Sequence, residues 1–143
     1  MKLSENFYLS EFIRSNTAIR RGIGNSPTQE VVENLERLAT KCLQPIRDNF
    51  GSVLITSGYR SFLLNRAIGG SSTSQHCKGE AADIRMKNMK EVFNWIIDNL
   101  DFDQLIWEAG TNESPSWIHI SYKESGNRKQ VLRMKKGKYS VFK

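Results

Sequence analysis

The spacing of apolar residues changes partway along this chain, and that change limits the folds open to it. Val31, Val32, Leu35, Leu38, Ala39, Cys42 and Leu43 recur at three- and four-residue intervals, which is one face of an amphipathic helix. Ser26-Pro27 ahead of them reads as an N-cap and first helical residue, and Pro45 predicts a kink or restart before Phe50-Gly51. Further on, apolar residues fall in strand-length runs: Val53–Thr56, Ala81–Met86, Asp103–Trp107 and Trp117–Tyr122. Val131–Met134 and Tyr139–Phe142 read as a hairpin across Lys136-Gly137. A second helix carries Val92, Phe93, Trp95, Ile96 and Leu100, and Asn88 with Glu91 predicts reciprocal capping at its start. A short helix from Ser61 to Ala67 precedes a loop at 69–74, and residues 4–25 look irregular apart from a short helix at Ser10–Ile13. Helices come early and strands late, with connections short enough for antiparallel pairing. The expected class is α+β.

The 143 residues suffice for one domain with its own core. At 38% hydrophobic and 25% charged the composition is that of a globular protein, which excludes disorder, collagen, coiled coil and disulfide scaffolds. No window approaches the roughly 18–20 apolar residues of a membrane span. Met1-Lys2-Leu3-Ser4-Glu5-Asn6 lacks the apolar core of a signal peptide, so cytoplasmic synthesis is expected. Cys42 lies in the apolar helical stripe and reads as a buried thiol; Cys77 has neither a Cys-x-x-Cys partner nor a catalytic-cysteine context.

The net charge of +6 is unevenly spread. Residues 1–122 hold 13 basic and 14 acidic side chains, whereas residues 123–143 hold 8 basic and only Glu124. The excess belongs to the basic C-terminal hairpin segment. Nucleic acid, an anionic polymer or plain solvent could each face such a segment. No aromatic-interleaved basic motif accompanies it, so no nucleic-acid partner is expected.

The two histidines sit in contexts that suit chemistry. His76 lies in the polar stretch Ser74-Gln75-His76-Cys77-Lys78-Gly79-Glu80, with Asp83 on the strand that follows and small Ala81 on the same strand face. His119 is mid-strand in Trp117-Ile118-His119-Ile120-Ser121. Two imidazoles and a carboxylate form the open three-ligand set of catalytic zinc. The plainer alternative, two unconnected surface or core histidines, stays open on spacing alone.

Ser74-x-His76-x-x-Gly79-x-Ala81-x-Asp83 resembles the Ser-x-His-x-x-Gly-x-Ala-x-Asp signature of the zinc D-alanyl-D-alanine carboxypeptidase and L-alanyl-D-glutamate endopeptidase family, whose fold is shared with the hedgehog signalling domain. Ile55-Thr56-Ser57-Gly58-Tyr59-Arg60-Ser61 is similar to that family's Ser-Gly-Tyr-Arg segment. Phe102–Glu108 followed by Trp117–Ser121 is similar to its last two active-site strands, and the likeness spans about residues 4–125. It is strongest to the short, single-domain branch common in bacteriophage and bacterial genomes.

The resemblance implies a hedgehog/DD-peptidase-like fold, a small mostly antiparallel sheet with helices packed on one side, and a single zinc peptidase domain over residues 1–143. It implies that His76, Asp83 and His119 bind one Zn2+ per chain. Many relatives carry an acidic residue three positions before the last histidine, where this chain has Ser116. Glu108 and Glu113 remain as candidates for the general base. Glu108 is preferred because a strand holds catalytic geometry better than a loop. Arg60 would bind the substrate carbonyl or carboxylate, the alternative being a loop arginine bridging local carboxylates. Ser74 would hold the loop or contact substrate, Trp117 would wall the cleft, and Trp107 on the opposite face would pack in the core.

The expected activity is hydrolysis of peptidoglycan stem peptides, as a D-Ala-D-Ala carboxypeptidase or an endolysin-type endopeptidase. The alternative is a catalytically inactive, zinc-stabilised binding domain of the same fold. The expected partners are the murein peptide and an anionic wall polymer at the basic hairpin, with no membrane and a monomeric state. Action would come at the cell wall after release, from the host cytoplasm in the case of a phage.

Overall fold

The computed structural model describes residues 1–143. Strands β1 (Lys2–Ser4) and β2 (Phe7–Tyr8) form a small ribbon, followed by helices α1 (Leu9–Ile13) and α2 (Asn16–Arg21). Helix α3 (Gln29–Leu38) runs through a π-helical turn at Ala39–Leu43 into α4 (Gln44–Phe50). Then come β3 (Leu54–Ser57), α5 (Phe62–Ala67), a 3₁₀ turn at Gln75–Lys78, β4 (Ala81–Arg85) and α6 (Met89–Asn99). Strands β5 (Gln104–Glu108), β6 (Trp117–Ser121), β7 (Gln130–Lys135) and β8 (Lys138–Val141) complete the chain. This is a mixed α+β structure.

The six-stranded sheet has the order β3-β4-β6-β5-β7-β8. Strand alternation divides its residues between two faces. Ile55, Ala82, Ile84, Leu105, Trp107, Ile118 and Ile120 belong to one buried cluster with Leu35, Leu38, Cys42, Leu43, Ile46, Val92, Phe93 and Ile96 of the helices. Phe93 meets Trp107 edge-on at 5.3 Å, and Phe142 closes over Phe93 at 4.8 Å. Trp107 is therefore core, as its position opposite Glu108 predicts. The residues between these apolar ones, Asp83, Glu108, Trp117 and His119 among them, are left for the other face.

Four of the five strand pairs are antiparallel, but β5 and β7 run parallel. Short spacings alone suggest a simple hairpin here, and the reason for the difference lies in the connection. Strand β6 ends beside the start of β5, and the loop after it crosses that same end. Lys129 N–H donates to the Phe102 carbonyl at 2.9 Å and Gln130 N–H to the Asp103 carbonyl at 2.9 Å. The chain thus enters the far side of β5 at its beginning and can only follow it in the same direction.

Several local expectations need correction. The N-cap of α3 is Thr28, not Ser26: its hydroxyl accepts from Val31 N–H at 3.2 Å, and Pro27 stays outside the helix. Pro45 does not break the long helix. The π-helical turn ahead of it shifts the bonding to a wider spacing, and Gln44 N–H finds the Ala39 carbonyl. Asn88 makes no side-chain cap, because its backbone is left-handed at φ 59°. Helix α2 was not expected in the irregular stretch; Ser15 caps it by accepting from Ala18 N–H at 3.2 Å.

Candidate metal centre and active-site cleft

Register brings the site together. Asp83 on β4 lies directly opposite His119 on β6, both on the face away from the helices. His119 Nδ1 is 2.9 Å from Asp83 Oδ1. His76 arrives from the 3₁₀ turn, with its Nε2 3.4 Å from the same oxygen. One ligand atom from each residue falls within 4.8 Å of the others.

Local chemistry fixes the way each ring points. Ser74 Oγ accepts from His76 N–H at 3.2 Å and caps the turn, so Ser74 holds the loop. Gly79 ends the turn at φ 74°, and a Cβ there would lie 2.7 Å from the Val31 carbonyl oxygen. The Nδ1 of His76 meets the Gly58 carbonyl at 2.7 Å. A carbonyl can only accept, so Nδ1 carries the proton and Nε2 keeps a free lone pair facing Asp83. Gly58 is confined in turn: a Cβ on it would sit 2.5 Å from the Phe12 carbonyl oxygen.

The electrostatics suit a cation. Burial pushes His76 below the ordinary imidazole value, against the pull of Asp83, which favours the neutral form that ligates metals. Burial alone would raise the carboxyl of Asp83, but hydrogen bonds from His119 and His76 outweigh it and hold that carboxyl well below the usual range. Two imidazole nitrogens and an ionised carboxylate are a donor set that zinc accepts, with a further position open. The residues present fit the metal.

Glu108 stands beside this set. It ends β5 opposite Trp117, two residues along β6 from His119, and is 5% exposed. Burial pushes its carboxyl up to about 7; His119 pulls against this and the charge of Asp83 adds to it. Glu113 lies elsewhere, on an exposed loop where Lys90 Nζ reaches it at 3.4 Å. Arg60 follows β3, with Nε on Ser57 Oγ at 3.2 Å, a terminal nitrogen on Asn65 Oδ1 at 3.0 Å and the other 3.7 Å from Asp83 Oδ2. Its backbone N–H also donates to the His76 carbonyl at 3.1 Å.

His76, Asp83, His119, Glu108 and Arg60 line one open cleft of about 880 Å³, with Ser74 and Trp117 in its wall. The cleft also holds residues that the sequence did not single out: Gln104, Ile106, Arg128, Gln130, Leu132, Met134 and Tyr139. For those on β5 and β7 the only sequence signal is alternation, which has no meaning until the parallel register sets 104, 106 and 108 beside 130, 132 and 134. Gly58 gives no signal either, since a backbone carbonyl can come from any residue.

Two imidazoles and a carboxylate beside a buried carboxyl in an open cleft are an arrangement of the kind metallohydrolases use. Residues 5–121 match the model of the family described as Peptidase M15, and the chain belongs to that family. Its members are zinc-dependent peptidases, in keeping with the His76, Asp83 and His119 set. No curated protein matches the chain.

Proposed function

We propose that this protein is a zinc peptidase of hedgehog/DD-peptidase-like fold, a single catalytic domain that hydrolyses peptide bonds in peptidoglycan stem peptides. The observation that carries the reading is the convergence of His76 Nε2, Asp83 Oδ1 and His119 Nδ1 in one cleft with the buried carboxyl of Glu108. His76, Asp83 and His119 would hold one zinc, which when bound lowers the pKa of water towards about 7 and polarises a carbonyl. Glu108 is then the general base: a carboxyl titrating near 7 can take a proton from the attacking water and return it to the leaving amine. Arg60 is held by Ser57 and Asn65 so that its charge faces the cleft, where a substrate carbonyl or carboxylate gathers negative charge. Trp117 walls the cleft on the Glu108 side.

The test combines metal analysis with mass spectrometry of murein fragments. Wild type and Glu108→Gln should each bind about one zinc, while hydrolysis in the variant should fall by about 10²- to 10⁴-fold, the usual weight of a general base. The identity of the released fragments tells the carboxypeptidase from the endopeptidase. Full activity in Glu108→Gln, or a wild-type protein that binds zinc and releases no amino groups, would overturn the reading.

A further inference from the structure

Of the five buried polar side chains, His76 and Glu108 belong to the site, Asp103 takes the Arg128 guanidinium and Ser121 takes the Gln104 N–H. The fifth is Asn65 on α5, which is 1% exposed and stands behind the cleft rather than in its lining. A buried amide needs partners for both its acceptor and its donor. Asn65 Oδ1 accepts from an Arg60 terminal nitrogen at 3.0 Å, and its Nδ2 donates to the Ser71 carbonyl at 2.8 Å. Its backbone carbonyl accepts from Gly70 N–H at 2.9 Å.

The groups it holds all face the substrate side. Arg60, Gly69, Gly70, Ser71, Thr73 and Ser74 line the cleft. Gly70 lies so close that a Cβ on it would collide with Asn65 Oδ1 and stand 3.0 Å from the same Arg60 nitrogen. The backbone of the loop, the amide and the guanidinium are therefore packed as one unit.

Residue type matters here as much as place. An amide offers one acceptor to the guanidinium and one donor to the carbonyl. A carboxylate would also hold Arg60, but it would neutralise the charge and set its second oxygen against the Ser71 carbonyl with no proton between them. The one carboxylate that reaches Arg60 is Asp83 at 3.7 Å, and the two histidines already share that charge.

We infer that Asn65 is a positioning residue for peptide hydrolysis: its neutral amide locks Arg60 and the 69–74 loop into one wall of the cleft and leaves the guanidinium charge for the substrate. This rests on the peptidase reading above and names the group that acts through Arg60.

The test uses the full-length, zinc-loaded protein at pH 8 on a soluble murein stem pentapeptide that contains both candidate bonds. Asn65→Asp should lower kcat/KM about tenfold, part of the 10²- to 10³-fold that one donor to a developing oxyanion supplies. In an Arg60→Ala background the same substitution should change kcat/KM by less than about twofold, whereas a merely structural role would cost the same in both backgrounds. Gly70→Ala reaches the pair from the loop side and should show the same dependence on Arg60. His76 and His119 are held by other bonds, so each variant should still bind about one zinc. In metal-free Asn65→Ala the Ser74 amide, bonded to the Ser71 carbonyl at 3.1 Å, should exchange about tenfold faster. Wild-type activity in Asn65→Asp, an equal loss in both backgrounds, or unchanged Ser74 exchange in Asn65→Ala would each overturn the lock. If the wild type cleaves neither bond, the peptidase reading fails, and quickened or unchanged exchange upholds or overturns the lock by itself.

Discussion

Asp103 is the most informative single residue for the stability of this fold, because it anchors the crossover that makes β7 parallel to β5. Its carboxylate is fully buried and accepts three bonds from Arg128: the backbone N–H at 3.0 Å, Nε at 3.0 Å and a terminal nitrogen at 2.7 Å. Asp103→Asn keeps the shape and can keep the two bonds to Oδ1. The amide nitrogen that replaces Oδ2 cannot accept from the guanidinium, so the shortest bond is lost and a buried donor faces another donor. Bonds to charged groups contribute about 1.5–3 kcal/mol and an unsatisfied buried donor costs about 1–3 kcal/mol. Because the Arg128 side chain is 52% exposed and recovers some hydration, the net loss should be about 2–3 kcal/mol. For a chain of this size that is a fall in Tm of about 6–9 °C.

The loss should depend on pH with a definite sign. Burial alone would raise the carboxyl of Asp103, but the bonds from Arg128 outweigh it and hold its folded value below the ordinary one. Its contribution is therefore complete above the unfolded value of about 4 and disappears as pH falls through the folded value. Urea unfolding of wild type and Asp103→Asn at pH 7 and at successively lower pH measures this directly. The gap should be widest at neutral pH and close in acid, and amide exchange at Lys129 and Gln130 should quicken in the variant. An Asn variant as stable as wild type at pH 7, or a gap unchanged in acid, would refute this account of the crossover.

Two further changes probe the site. Gly58→Ala forces a Cβ to within 2.5 Å of the Phe12 carbonyl oxygen and shifts the carbonyl that orients His76. It should cost about 1–3 kcal/mol in thermal unfolding and weaken zinc binding about tenfold by competition with a chelator. In the metal-free protein Glu108→Gln should be more stable than wild type at pH 8. The folded carboxyl titrates near 7 against about 4.3 unfolded, so wild type carries a penalty of about 1–3 kcal/mol above pH 7 that shrinks towards zero below pH 4. Unfolding curves at pH 4 and pH 8 check this, and a constant difference between them would contradict the burial of Glu108.

The cluster of His76, Asp83 and His119 was legible before any coordinates only through the likeness of Ser74–Asp83 to a family signature. Spacing alone left two unconnected histidines open, and the structure brings the three together. The stripe from Val31 to Leu43 and the alternation in β4, β5 and β6 were legible for a different reason: burial of one face imposes a period that survives in the sequence. Glu108 could be preferred over Glu113 on the same grounds, a strand against a loop, and their burial follows that division. Local backbone geometry was less visible. Asn88 with Glu91 has the composition of a capping box, yet the left-handed turn at Asn88 removes it. Pro45 has the composition of a break, yet one wider turn accommodates it.

By itself, then, the sequence determined the chemistry available, the α+β class and the residues facing the core, since each is a property of residue type and short-range spacing. Only the tertiary structure decided which strands are neighbours. Register set Asp83 against His119 and Glu108 against Trp117, and the loop braced by Asp103 and Arg128 turned β7 parallel to β5. With that, a basic segment that looked like a solvated end of the chain became a wall of the cleft. Pairing between strands far apart in the chain depends on hydrogen bonds and loop paths that leave no period in the sequence, so it becomes readable only once the chain has closed on itself.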